Sequence, residues 1–125
     1  MNAPQLRLLI VDDSNIIRSR IARIVGNAWP GMQIIGLARN GVQAVTLCHQ
    51  HYPDVVTLDL TMPEMDGIQC VKELIGIRPD IRILVVSALS DKATALQAIK
   101  NGANGFLYKP FTDEQLLDAL RELMA

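Results

Sequence analysis

The chain has 125 residues and a formal net charge of −1; half its residues are hydrophobic and a fifth are charged. That size and balance fit one globular domain with a single sizeable core and exclude a disordered chain. Nothing in the charge points to nucleic acid or an anionic membrane, and no apolar run approaches the roughly 20 residues of a membrane span. The opening MNAPQ lacks the basic region and apolar stretch of a signal peptide. Cys48 and Cys70 have no metal-type spacing and read as reduced thiols of a cytoplasmic protein.

The first element, Leu6–Val11, is a short apolar run broken only by Arg7, the pattern of a strand covered on both faces. Ile16, Ile17, Ile21, Ile24 and Val25 then recur at helical spacing until NAWPG ends the helix. Gln33–Ala38 reads as a second strand, followed by a helix opened near Asn40 and stopped before Pro53. Asp54–Leu60 is the third strand, and Ile68, Val71, Leu74 and Ile75 mark a helix that Pro79 stops. Ile81–Ala88 is the fourth strand. A short helix on Ala95, Leu96, Ala98 and Ile99, about Ala93–Lys100, ends at NGANG. Gly105–Tyr108 is the fifth strand, and the last helix opens with a capping box of Thr112 and Gln115. Strands alternating with helices predict an α/β fold, a parallel sheet with helices on both faces joined by right-handed crossovers. In such a sheet, ligands gather at the carboxyl ends of the strands.

Those ends carry a specific set of residues. The first strand ends in Asp12 and Asp13, the third in Asp59, the fourth in Ser87, and Lys109 follows the fifth. Three converging carboxylates repel unless a cation is present or some stay protonated. Hard oxygen ligands with room for water suit Mg²⁺, and a lysine and a hydroxyl suit a phosphoryl group. The set therefore reads as a site for Mg²⁺ and a phosphoryl group, with one carboxylate as nucleophile.

Five pieces now stand in order: VDDS after the first strand; Asp59, Met62, Pro63, Asp66 and Gly67 as D-x-x-M-P-x-x-D-G; Ser87–Ala88; and G-F-x-x-K-P-F from Gly105 to Phe111 with its lysine. Over nearly its whole length the chain resembles a response-regulator receiver domain of the stand-alone CheY-like kind. The resemblance implies one receiver domain over residues 1–125 with a flavodoxin-like (βα)5 fold and strand order 2-1-3-4-5. It implies that Asp59 is the phosphoacceptor, that Asp13 binds Mg²⁺ directly and Asp12 mainly through water, and that the Thr61 backbone carbonyl completes the protein ligands, with Mn²⁺ as a substitute metal. Lys109 pairs with the acids and then with the phosphoryl group. Ser87 swings towards the phosphoryl oxygens, and Phe106 is the aromatic switch that follows it. The Lys109–Pro110 bond is expected to be cis.

The function so implied is a phosphorylation-activated signalling switch of a two-component system, with chemotaxis as one setting, and not a turnover enzyme. The donor is a histidine kinase or histidine phosphotransfer protein. A downstream target meets the face formed by the fourth helix, fifth strand and fifth helix. The protein is expected to be a cytoplasmic monomer, or a dimer once phosphorylated, without direct nucleic-acid contact or membrane insertion. The alternative is a receiver cut from a longer regulator with a DNA-binding or enzymatic output. A flavin carrier on this fold would want a Ser/Thr/Gly-rich phosphate loop where two acids stand, and an aspartyl-phosphate hydrolase an Asp-x-Asp loop that is absent here.

Some residues depart from or particularise the pattern. Phe106 lacks the hydroxyl of a tyrosine, and Ser87 stands for the commoner threonine. Thr61 and Leu89 flank the route of attacking water, where an apolar Leu89 slows hydrolysis. Asp66 reads as a helix cap rather than a ligand, CHQH as a buried Cys48 with solvated His49 and His51, and Trp29 as a loop anchor. Arg18, Arg20 and Arg23 make a basic run on the first helix, either a solvated face or a docking surface.

Overall fold

From Leu8 onward β1 (Leu6–Val11) is fully buried, with side chains alternating between two apolar layers: Leu8 and Ile10 on one side, Leu9 and Val11 on the other. That explains an apolar run with no polar alternation. The computed structural model describes residues 5–62 and 65–125; Pro63 of the D-x-x-M-P run lies outside them. The elements that follow are α1 (Asn15–Ala28), β2 (Met32–Ala38), α2 (Gly41–His51), β3 (Val55–Asp59), α3 (Gly67–Ile77), β4 (Arg82–Ala88), a 3₁₀ turn (Leu89–Asp91), α4 (Lys92–Lys100), β5 (Gly105–Lys109) and α5 (Asp113–Met124). All strands pair in parallel, in the order β2-β1-β3-β4-β5. This is the flavodoxin-like three-layer α/β fold with its expected strand order. No helix among the described residues is long and apolar enough to cross a membrane.

One face of the sheet packs on α1 and α5 through Ile21, Ile24, Val25, Leu116 and Leu120. The other packs on α2, α3 and α4 through Ala44, Cys48, Cys70, Val71, Leu74, Ala95 and Ala98. Each large apolar side chain so buried contributes about 1.5–3 kcal/mol relative to exposure. Both cysteines are free and buried, and burial pushes the Cys70 thiol up to about 12 and raises Cys48 as well, so both stay neutral. His49 is exposed and His51 half-buried. Trp29 caps α1 and packs half-buried against the α1/α5 core, the anchoring its position suggests.

Several boundaries differ by a residue or two from the sequence expectation. β4 starts at Arg82, because the Ile81 N–H bonds the Arg78 carbonyl in a turn. β3 stops at Asp59, with Leu60 and Thr61 already in the loop. β5 runs on to Lys109, which stands opposite Ala88 in the ladder, so the lysine belongs to the strand end itself. α4 begins one residue early, after the 3₁₀ turn.

Polar caps turn the helices away from the carboxyl edge. Ser14 Oγ accepts from Ile17 N (3.3 Å), Asn40 Oδ1 from Gln43 N (2.8 Å) and Asp66 Oδ1 from Gln69 N (2.9 Å), while Thr112 and Gln115 complete the expected capping box. Asp66 is thus the cap its position suggests. The helix that it caps starts very close to the preceding loop: a Cβ on Gly67 would lie 2.6 Å from Leu60 Cδ2 and 2.8 Å from its Cα. A side chain can give way there, but a backbone atom cannot without moving Leu60, the neighbour of Asp59. Gly67→Ala is expected to cost about 1–3 kcal/mol, read as a melting temperature roughly 5 °C or more lower.

Candidate functional site

Four strand ends deliver the site. β1 runs directly into Asp12 and Asp13, while β3, beside it, ends in Asp59. β4 carries Ser87 one residue beyond Val86, the ladder partner of Asp59, and β5 ends in Lys109. Carboxylate oxygens of Asp12, Asp13 and Asp59 all lie within 4.8 Å of one another. Asp12 and Asp59 are buried and Asp13 is exposed.

Among the described residues, one cation pairs with carboxylates of this cluster. Lys109 Nζ lies 2.8 Å from Asp12 Oδ2 and 3.7 Å from Asp59 Oδ1. Asp12 Oδ1 accepts from the Ser14 N–H at 2.9 Å. Asp59 Oδ1 accepts from both the N–H and the hydroxyl of Thr61, each at 3.3 Å. These bonds do not offset the surroundings. Burial, and after it the neighbouring Asp12 carboxylate, push the Asp59 carboxyl up to about 6, against the pull of Lys109 and the Thr61 N–H. One ammonium leaves two of the three negative charges unbalanced, and a hard divalent cation supplies the difference. The donor set is all oxygen, as Mg²⁺ prefers.

Ser87 supplies a second sign of fit. It is buried, and its hydroxyl has no hydrogen-bond partner among the described residues. A buried hydroxyl without a partner is costly, and a phosphoryl oxygen on the neighbouring strand end would satisfy it. Phe106 is two-fifths exposed and stacks at 51° on Tyr108, ring centroids 5.2 Å apart. Tyr108, not Phe106, is Ser87's partner in the ladder. The Lys109–Pro110 bond is cis, as expected. Leu89 stands exposed in the 3₁₀ turn after β4.

The basic run on α1 resolves into two kinds of residue. Arg18 donates to the Asp12 carbonyl at 2.6 Å. Arg20 donates to the Phe111 carbonyl at 2.5 Å, pairs with Asp113 at 3.4 Å and lies 4.7 Å over the Phe111 ring. Only Arg23 is fully on the outside. Arg18 and Arg20 are therefore not simply a solvated face: they tie α1 to the loop that carries Asp12 and Asp13 and to the loop that follows Lys109. Their spacing carries no signal for this, whereas Ser14 is legible as a helix cap placed straight after the acids.

With this geometry in view, the chain can be set beside known proteins. A family model described as the response regulator receiver domain matches residues 8–121. The chain belongs to that family. Receiver domains are phosphorylation-dependent signalling modules of two-component systems, not turnover enzymes on external substrates, and they bind Mg²⁺ in an acidic pocket such as the one at Asp12, Asp13 and Asp59. This receiver domain is 41% identical over 117 residues to the chemotaxis protein CheY of Thermotoga maritima, covering 94% of this chain and 96% of that one. It is 40% identical over 118 residues to CheY of Bacillus subtilis, covering 94% and 97%. Among solved structures it resembles a chain of the CheX–CheY–BeF₃–Mg²⁺ complex of Borrelia burgdorferi, with a TM-score of 0.89 and 31% identity over 98% of this chain and 91% of that one. The receiver is thus CheY-like along its length.

Proposed function

We propose that this receiver accepts one phosphoryl group on Asp59 from a phosphohistidine of a histidine kinase or histidine phosphotransfer protein. An Asp59 carboxylate oxygen forms the bond to phosphorus as the P–N bond breaks; the electron pair of that bond stays on the imidazole, which takes up a proton. The observation that carries this reading is the meeting of three carboxylates and one lysine at a single sheet edge. Asp12, Asp13, Asp59 and the Thr61 carbonyl would hold Mg²⁺, or Mn²⁺ in its place, and the bound ion would supply charge neutralisation to the transferring oxygens. Thr61 holds Asp59 Oδ1, which leaves Oδ2 to react. Lys109 is in reach of both acids and can turn its ammonium to a phosphoryl oxygen.

The phosphoryl group adds about −1.5 to −2 charge and new acceptor oxygens. Ser87 donates to one of them, and Phe106 turns inward into the space released. The output face joins α4, β5 and α5, where Leu96 and Phe106 are exposed beside a groove lined by Ile99, Ala119 and Glu122. Relatives matched over nearly their own whole length are CheY proteins, which supports a single receiver domain over residues 1–125 that signals by protein contact. We place it in the cytoplasm, in chemotaxis, as a monomer that finds a target protein when phosphorylated. The test is incubation with acetyl phosphate: intact mass should rise by one phosphoryl group with Mg²⁺ and stay unchanged in EDTA. Labelling that ignores EDTA would remove the metal from the proposal.

Ser87 gives a separate check. Ser87→Ala removes a buried hydroxyl that has no partner among the described residues, so without ligands the variant is expected to melt at or slightly above the wild-type temperature, a gain of up to about 1 kcal/mol. It should gain less than wild type from Mg²⁺ with beryllofluoride, a phosphoryl mimic. Equal gains would mean that Ser87 does not touch the phosphoryl group.

A further inference from the structure

Asp13 is exposed, and its carboxylate stands within 4.8 Å of those of Asp12 and Asp59. Two ionised carboxylates repel, so the side chain itself cannot be what keeps Asp13 in place. The backbone must do it. The Asp12 N–H bonds the Ala38 carbonyl at 3.0 Å, and the Ser14 N–H bonds Asp12 Oδ1 at 2.9 Å. Between these two points lies the peptide that joins Asp12 to Asp13. Its carbonyl accepts the 2.6 Å bond from Arg18 Nη1, and Arg18 Nη2 is steadied in turn by Asn15 Oδ1 at 3.3 Å. The peptide is a rigid plane, so a bond to its oxygen fixes the direction in which Asp13 leaves it. A bond from an ionised donor is stronger than a neutral one, and this one comes from a half-buried side chain anchored on a helix.

We propose that Arg18 is a positioning residue of this site: by holding the Asp12 carbonyl it presents Asp13 to the divalent cation. This rests on the reading of the acid cluster as the Mg²⁺ site. Charge alone argues in the opposite direction. A guanidinium near three acids disfavours a second cation, so removing it would tighten Mg²⁺ binding if Arg18 acted only through its charge. The two accounts therefore differ in sign. The cation that acts directly on Asp59 is Lys109, which leaves the geometric role to Arg18.

The experiment is a calorimetric Mg²⁺ titration of the unphosphorylated full chain, with the metal-induced rise in melting temperature as a second readout. Arg18→Met keeps the apolar stem and loses the donor. It should weaken Mg²⁺ binding about tenfold or more, the usual effect of removing a group that orients a ligand. Arg23→Met, which takes an equal charge from the exposed side of α1, should leave the affinity unchanged or slightly higher. With acetyl phosphate, Arg18→Met should label slowly at low Mg²⁺ and recover at saturating Mg²⁺. Binding by Arg18→Met as tight as wild type, or tighter, overturns the proposal. If the methionine variant does not fold, Arg18→Gln is judged by the same criterion, and failure of both to fold would assign Arg18 to the framework and overturn it too. A wild type whose Mg²⁺ affinity survives Asp13→Asn would instead sink the reading of the site itself.

Discussion

Asp59→Asn is expected to take up no phosphoryl group from acetyl phosphate and Mg²⁺ under conditions that label the wild type fully. The substitution is nearly isosteric, so the fold and the loop after β3 should persist, but an amide oxygen is a poor nucleophile and forms no acyl phosphate. The expected effect is complete rather than partial, because Asp12 and Asp13 cannot stand in: Asp12 is tied up by Lys109 at 2.8 Å and the Ser14 N–H, and both acids are assigned to the metal. Intact mass reads the loss, and circular dichroism checks that the variant is folded. Equal labelling of Asp59→Asn would put the nucleophile elsewhere. Lys109→Met, by contrast, should label slowly and not fail outright, since the lysine offsets charge in the transition state but forms no bond to phosphorus.

The second large effect concerns the metal-free protein and pH. The Asp59 carboxyl keeps its proton up to about 6 in the folded state, against 3.8 for an ordinary aspartate, chiefly because it is buried and then because Asp12 lies beside it. Between those values the folded state binds more protons than the unfolded one, so this group's contribution to stability falls as pH rises. Below 3.8 it costs nothing; above about 6 the full cost is present. In EDTA, the melting temperature of wild type relative to Asp59→Asn should therefore drop across that window and then level off, leaving the variant higher near neutral pH by roughly 5 °C. A difference that does not change with pH would contradict the account. Mg²⁺ should reverse the deficit of the wild type, by about 2.7 kcal/mol at a hundredfold excess over Kd. Asp13→Asn should also melt higher in EDTA, and should lose most of the gain from Mg²⁺.

Much of this arrangement is legible in the sequence. Apolar strands that end in Asp12–Asp13 and Asp59 place the acids at the edge where parallel sheets bind ligands, and Lys109 follows from the same reasoning. The order of the strands does not follow from periodicity, which shows only that strands and helices alternate; it comes from the family resemblance. Strand ends at Leu60 and Ile81 slip because β-propensity sees apolar residues and not which of them has a ladder partner. The contact of Phe106 with Tyr108 obeys the alternation of a strand, since residues two apart share a face. Arg18 and Arg20 are a different case. A helix side chain reaching back to a loop carbonyl six residues earlier, or across to another loop, leaves no mark in composition or spacing. The Thr61 hydroxyl on Asp59 is a short-range polar contact of the kind turns favour, but nothing in the sequence says which acceptor it chooses.

The charged groups are also sorted by where they stand along the strands. At the amino ends of the strands, Arg78 is matched with Asp54 at 2.9 Å and Asp80 at 3.0 Å, and Arg82 donates to the Leu123 carbonyl at the end of α5. At the carboxyl ends, three carboxylates stand against one ammonium. A net charge of −1 therefore conceals a local contrast: the named charges at the amino ends balance, while the acid cluster outnumbers its one paired ammonium. On the proposed function, an anionic phosphodonor would be repelled by the acid cluster until a cation sits there. That repulsion favours metal before donor and predicts a salt effect: moderate ionic strength should ease the approach of a free anionic donor when metal is scarce, and matter less when it is plentiful.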